Sequence, residues 1–178
     1  MIIKLYLLDK IKPKITEISF MIPPVPDTNN QFYLGHINLL RQSYERLIGK
    51  TFGPKDLTGL SLAQAIYKAP YVVVSHSTEP DPVFNYANLT AQKLFEFPWA
   101  EFCQLPSRQS AEVPNQMERQ QLLDTVTRKG FIENYQGIRI AKSGRRFWIK
   151  NVTVWNLYDT DGIYQGQGAI YSHWETIG

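Results

Sequence analysis

The last third of the chain limits the possible folds most. Phe131–Ala141 reads as a strand, Lys142-Ser143-Gly144 as a turn, and Arg145–Tyr158 as a long second strand. Asp159-Thr160-Asp161-Gly162 is a second turn with the residues a hairpin favours, and Ile163–Trp174 reads as a third strand. Strands joined by turns this short lie antiparallel. Such a meander exposes two faces, and the residues before it must supply the elements that cover at least one.

Those residues read as two helices, two strands and a set of further helices. Asn30 is placed to cap a helix running to about Ile48, where Gly49 stops it. Its apolar residues Tyr33, Ile37, Leu40, Tyr44 and Leu47 form one stripe. Thr51–Leu60 is a connecting loop. Ser61 with Gln64 matches a capping box, and the helix it opens carries Leu62, Ala65, Ile66 and Ala69 inward. Tyr71–Val74 is apolar on both faces, as a central strand is. In Pro82–Phe97 a short strand with Phe84 and Tyr86 turns at Asn88, an expected N-cap, into a helix with Leu89, Leu94 and Phe95. A longer helix follows from Pro114-Asn115 to Gly130, with Leu122, Leu123 and Val126 on its apolar side.

Residues 1–30 differ in character, mixing lysines and apolar residues without a period and ending in Pro23-Pro24-Val25-Pro26. They read as a loosely attached arm or linker, with translation from Met21 as an alternative. The expected organisation is this arm at 1–30, a helix and loop at 31–60, and the main domain at 61–178.

Composition excludes several classes of function. The 178 residues carry a net charge of +3, so nucleic acid binding would need a local patch. The one cluster of that kind, Arg139, Lys142, Arg145, Arg146 and Lys150 with Phe147 and Trp148, reads as a solvated hairpin tip. No apolar run approaches the roughly 20 residues of a membrane span. The single cysteine, Cys103, excludes an internal disulfide and fits a cytoplasmic location.

The order of elements and FNYANLTAQKLFEF resemble the PAS fold, in which a strand ends in Tyr-x-Asn before a helix with Leu-Phe. More narrowly, YVVVSHSTEPDPVFNYAN, LPSRQSAE, GFIENYQGIRIAKSGRRFWIKNVTVWNL and GQGAIYSHW are similar to the MEKHLA domain family. That family occurs as stand-alone bacterial proteins and at the end of plant class III homeodomain-leucine-zipper factors. The resemblance implies an α+β fold: a PAS-like five-stranded antiparallel sheet, first strand beside last, with helices on one face and the N-terminal helix on or near the other. It implies a non-catalytic sensory or binding module that acts through a small molecule, a protein partner or a second copy. A small-molecule-binding enzyme of unknown reaction is the alternative, with Ser75–His76, Ser107–Arg108, Asp81 and Glu112 as the residues to weigh. Ser75 and His76 are adjacent on a strand and point apart.

The resemblance leaves the cofactor unknown and argues against two. Light-oxygen-voltage domains carry a reactive cysteine in Asn-Cys-Arg-Phe, where this chain reads Pro106-Ser107-Arg108-Gln109. Arg139, Ile149 and Gly168 stand where that group's flavin-contacting amides are expected. Haem-binding relatives place their histidine on the helix at Asn115–Lys129, which has none; His36, His76 and His173 lie elsewhere.

Strict alternation from the Lys142–Gly144 turn puts Phe147, Ile149, Asn151, Thr153 and Trp155 on the helix-covered face. Gly166, Gly168, Ile170 and Ser172 join them from the last strand. The expected pocket is therefore Ile149, Asn151, Thr153, Trp155, Gly166 and Gly168, with Arg108 and Tyr135 at its mouth. Arg108 would suit a carboxylate. A filled core is the alternative. Trp148, Val152 and Val154 face the other way. The Tyr33, Ile37, Leu40, Tyr44 and Leu47 stripe, from this chain or a partner copy, is expected to cover them.

Overall fold

The computed structural model describes residues 23–178. The elements are α1 (Leu34–Ile48), α2 (Gly59–Tyr67), β1 (Val72–His76), β2 (Phe84–Ala87), α3 (Leu89–Phe95), α4 (Trp99–Phe102), α5 (Val113–Lys129), β3 (Phe131–Ile140), β4 (Arg146–Tyr158), β5 (Tyr164–Tyr171) and β6 (His173–Thr176). The sheet runs β2-β1-β5-β4-β3, antiparallel throughout, and β6 continues beyond β5 along β4. β1 lies beside β5, which with β6 covers the stretch expected as the last strand.

Two apolar clusters flank the sheet. On one face α3, α4 and α5 pack with Val74, Phe147, Ile149, Val152 and Val154. On the other, Ile37, Leu40 and Tyr44 of α1 pack with Val73, Trp155 and Leu157. The α1 stripe thus docks on its own sheet. Ser43 fastens the far end: its hydroxyl donates to the Tyr158 carbonyl (3.1 Å) and accepts from the Tyr158 amide (2.9 Å).

Asn88 ties three elements together. Its buried Oδ1 accepts from the Ala91 and Val73 amides, both at 3.1 Å, and its Nδ2 donates to the Tyr71 (2.7 Å) and Ile66 (3.2 Å) carbonyls. One side chain therefore caps α3, extends the β1 ladder and holds the end of α2. Asn156 and Gln167, paired across β4 and β5, do the same for α5 by donating to carbonyls of Val126, Thr127 and Leu123.

Some expectations change. Phe32, Ile37, Leu40 and Phe52 of the 31–60 segment share one cluster with Leu62, Ile66 and Trp155 of 61–178. The expected arm lies outside the described residues up to residue 22. Its remainder is built in: the Trp99 indole donates to the Pro23 carbonyl (2.8 Å) and the Tyr33 hydroxyl to the Pro24 carbonyl (2.8 Å). Asn30 makes no capping bond at the helix start; its Oδ1 accepts from the Asp27 amide instead. Thr58 rather than Ser61 stands at the start of α2.

Candidate functional site

The decisive local feature is a pair of bulges. Tyr135 pairs with Val152 and Gly137 with Ile149, which leaves Lys150 and Asn151 opposite Gln136 alone. Asn151 takes up the extra length at a φ of 52°, and Asn134 on β3 does so at 60°. A single inserted residue exchanges the faces of everything beyond it. From Asn151 onward β4 is therefore out of phase with the alternation expected from its turn.

This relocates most of the expected pocket. Phe147 and Ile149 face α3–α5 as expected, but past the bulge Val152 and Val154 face that side. Trp155 lies on the α1 side, its indole donating to the Leu40 carbonyl (3.2 Å), with Tyr44 edge-on at 4.9 Å. Thr153 points the same way, and Asn151 is exposed. Both glycines answer to close packing, although Gly168 also borders the cavity described below. A Cβ on Gly168 would come within 2.8 Å of the Trp155 ring and 2.9 Å of Leu40, and one on Gly166 within 2.0 Å of the His76 carbonyl oxygen. The expected cover of Trp148, Val152 and Val154 by α1 fails for the same reason: two of the three face the opposite layer, and Trp148 is 38% exposed.

A cavity of about 60 Å³ lies between the sheet and α3–α5. Several times the 10–15 Å³ or so that one water needs, it is large enough for a small molecule. Tyr135, Ile149 and Gly168, named from the sequence, line it, together with Val152, Val154 and Gln167. Arg108 does not. It lies on the surface, its Nε donating to both Asp81 carboxylate oxygens at 3.0 and 3.1 Å.

Two other arginines line the cavity instead, Arg119 from α5 and Arg139 from β3. Arg119 precedes Leu122, Leu123 and Val126 by three, four and seven residues, so it sits inside the apolar stripe of its helix. That placement was a signal in the sequence that the expected pocket did not use. Arg139 reaches back over Gly137 to Tyr135, its Nη2 donating to the phenolic oxygen at 3.3 Å. Gly137 leaves the room: a Cβ there would lie 2.3 Å from that oxygen. Burial lowers the Arg119 pKa to about 9, with the Arg139 charge as the next cause.

Three further polar atoms in the wall have no hydrogen-bond partner among the described residues: His76 Nε2, Gln167 Oε1 and the Tyr171 hydroxyl. His76 Nδ1 bonds the Ser77 carbonyl at 2.9 Å, and burial lowers the His76 pKa, which keeps the ring neutral at pH 7.

The other sites weighed from the sequence are elsewhere or engaged. Ser75 faces α1. Its hydroxyl donates to Asn85 Oδ1 (2.6 Å), so His36 Nε2, at 2.7 Å, is the donor to it. The hydroxyl proton is therefore aimed at an amide oxygen and not at a base. The Cys103 thiol, pushed up to about 12 by burial, packs with the α1-side cluster and is not part of the cavity wall. In the hairpin cluster Lys142, Arg145, Arg146 and Lys150 pair with Glu101, Glu96, Glu112 and Glu175. Among the described residues no three His, Cys, Asp or Glu side chains gather as a metal site requires, and no helix is long and apolar enough to cross a membrane.

Comparison with solved structures finds the same architecture. The PAS domain of a protein from Colwellia psychrerythraea superposes with a TM-score of 0.54 at 14% identity, over 65% of this chain and 92% of that one. A light-oxygen-voltage domain studied with a flavin analogue gives 0.53 at 17%, over 66% and 85%. An RNA-binding light-oxygen-voltage receptor gives 0.55 at 18%, over 66% of this chain and 33% of that one. These likenesses show a PAS-like fold. Arg139, Ile149 and Gly168, at the positions where the light-oxygen-voltage group's flavin-contacting amides are expected, all line the cavity, and none of them is an amide. No curated protein matches the chain. The model of the MEKHLA domain matches residues 34–176, from the first turn of α1 to the end of β6. The chain belongs to the MEKHLA domain family.

Proposed function

We propose that this domain is a non-catalytic sensory module that holds a small molecule between its sheet and α3–α5. Contact with a partner protein or a second copy then carries the signal. The observation that supports this is the cavity wall: an apolar chamber with a few polar atoms left without partners. Buried polar atoms are ordinarily satisfied, and a pocket of this composition is the usual form of a small-molecule site. The enzyme alternative gains nothing from Ser75, whose hydroxyl proton is directed at Asn85.

The test is to purify the full chain and record its mass under native and denaturing conditions, then screen the emptied protein against neutral, cationic and anionic compounds by thermal shift. A retained or saturably binding compound that is lost in Val154→Trp, which fills the cavity, supports the reading. Binding unchanged in that variant, or no compound bound at all, overturns it.

A further inference from the structure

The two cavity arginines lack what buried arginines ordinarily have. Arg119 and Arg139 are 6% and 7% exposed, and buried cations are normally paired with a carboxylate. The six ion pairs among the described residues use Lys50, Arg108, Lys142, Arg145, Arg146 and Lys150. Arg119 makes neither an ion pair nor a hydrogen bond to the described residues. Arg139 donates only to the neutral Ile138 carbonyl (2.8 Å) and Tyr135 hydroxyl. Asp81, the carboxylate whose field reaches Arg119, has both oxygens bound to Arg108. Two positive charges thus face one small cavity, each raising the cost of the other.

We propose that the cavity takes a small organic carboxylate, its carboxylate held by Arg119 and Arg139 and its apolar body by Leu122, Leu123, Ile149 and Val154. The inference rests on the ligand-binding reading above and names the ligand's class. A carboxylate offers two oxygens for guanidinium forks and removes the charge that the wall leaves uncompensated. Inorganic phosphate matches less well, because the wall away from the arginines is largely apolar and suits the hydrocarbon body of an organic acid better than the remaining oxygens of a phosphate. The volume limits the acid. At 10–15 Å³ or so per water-sized group, about 60 Å³ holds only about four to six such groups, a short aliphatic acid.

The test uses the emptied full chain at constant ionic strength, titrated calorimetrically with straight-chain carboxylates of two to six carbons, with butyramide and with inorganic phosphate. Saturable binding of at least one acid is expected, at least tenfold tighter than butyramide or phosphate. Arg119→Met and Arg139→Gln should each weaken that acid at least tenfold while leaving the circular dichroism spectrum unchanged. If either variant does not fold, the acid-to-amide ratio in the unaltered protein decides alone. Butyramide binding as well as butyrate overturns the carboxylate assignment while leaving the ligand-binding reading intact. Phosphate binding best overturns it in favour of an inorganic anion site. No binding by any acid in the series overturns it as well, and the broader compound screen then shows whether the ligand-binding reading falls with it.

Discussion

Asn88→Ala should remove a large part of this domain's stability margin. The side chain is fully buried and makes four hydrogen bonds to backbone groups of β1, the β1 approach, α2 and α3. Losing the cap costs about 1 kcal/mol, as an N-cap truncation does. The Val73 amide is left without its side-chain partner inside the sheet, at about 1–3 kcal/mol. The Ile66 and Tyr71 carbonyls lose their donor as well, at roughly 0.5–1.5 kcal/mol each. Allowing for relaxation, the loss is about 3–5 kcal/mol, a third or more of the stability of an ordinary domain. Urea unfolding followed by circular dichroism and tryptophan fluorescence measures it. Asn88→Asp is the informative companion: it keeps both acceptor bonds, loses both donations and buries a carboxylate, so its deficit relative to the unaltered protein should shrink as pH falls toward 4. A loss below 1 kcal/mol for Asn88→Ala would mean that the residue only caps a helix, and would refute its role as the joint between layers.

Arg119→Met should raise the melting temperature of the ligand-free protein, because it removes a buried charge that no carboxylate among the described residues pairs, with little change in bulk; differential scanning calorimetry checks the sign. Gly166→Ala should cost about 3 kcal/mol or more, since the glycine has a φ of 114° and its Cβ would meet the His76 carbonyl oxygen at 2.0 Å; denaturant unfolding measures it. Stability should fall as pH drops from 6.5 toward 4. Burial holds the His36 pKa at about 4, so in that window the unfolded chain binds a proton that the folded chain does not, and the contribution is fully present only above the unfolded pKa. A tenfold difference in proton affinity is worth about 1.4 kcal/mol, so His36 accounts for up to about 3 kcal/mol by pH 4, and His76, also lowered, adds in the same direction. His36→Gln should flatten the melting-temperature profile over that range.

The fold was largely legible because its signals are local. The turn at Asp159–Gly162, the cap at Asn88 and the α1 stripe each announce an element within a few residues of themselves, and a family pattern joins them. The cavity was less legible because its walls depend on phase along a strand. Ile149 lies before the bulge and was placed on its correct face; Asn151, Thr153 and Trp155 were not, since nothing in RFWIKNVTVWNL marks which residue is the inserted one. An asparagine is among the residues that best tolerate a positive φ, so Asn151 was a clue, though one shared with every asparagine of the chain. Arg108 looked like the ligand's arginine because it was expected at the pocket mouth, where a guanidinium suits a carboxylate, whereas its charge is taken up by Asp81. Arg119 was visible as a cation in an apolar helical stripe. What the sequence pattern could not convey is that no acid among the described residues meets it, a property of three-dimensional neighbours.

The bulge at Asn151 also governs how this chain could change over evolutionary time. Point substitutions along β4 act on one layer at a time: Val154 on the cavity, Trp155 on the α1 side. Deleting one residue at the bulge would act on both layers at once. It would carry Thr153 and Trp155 into the cavity and turn Val152 and Val154 toward α1. A lineage that kept the cavity would have to keep the extra residue, or lose it only together with a repacking of both clusters. Length at this position is therefore under tighter constraint than identity, and a glycine or aspartate could serve there as readily as the asparagine.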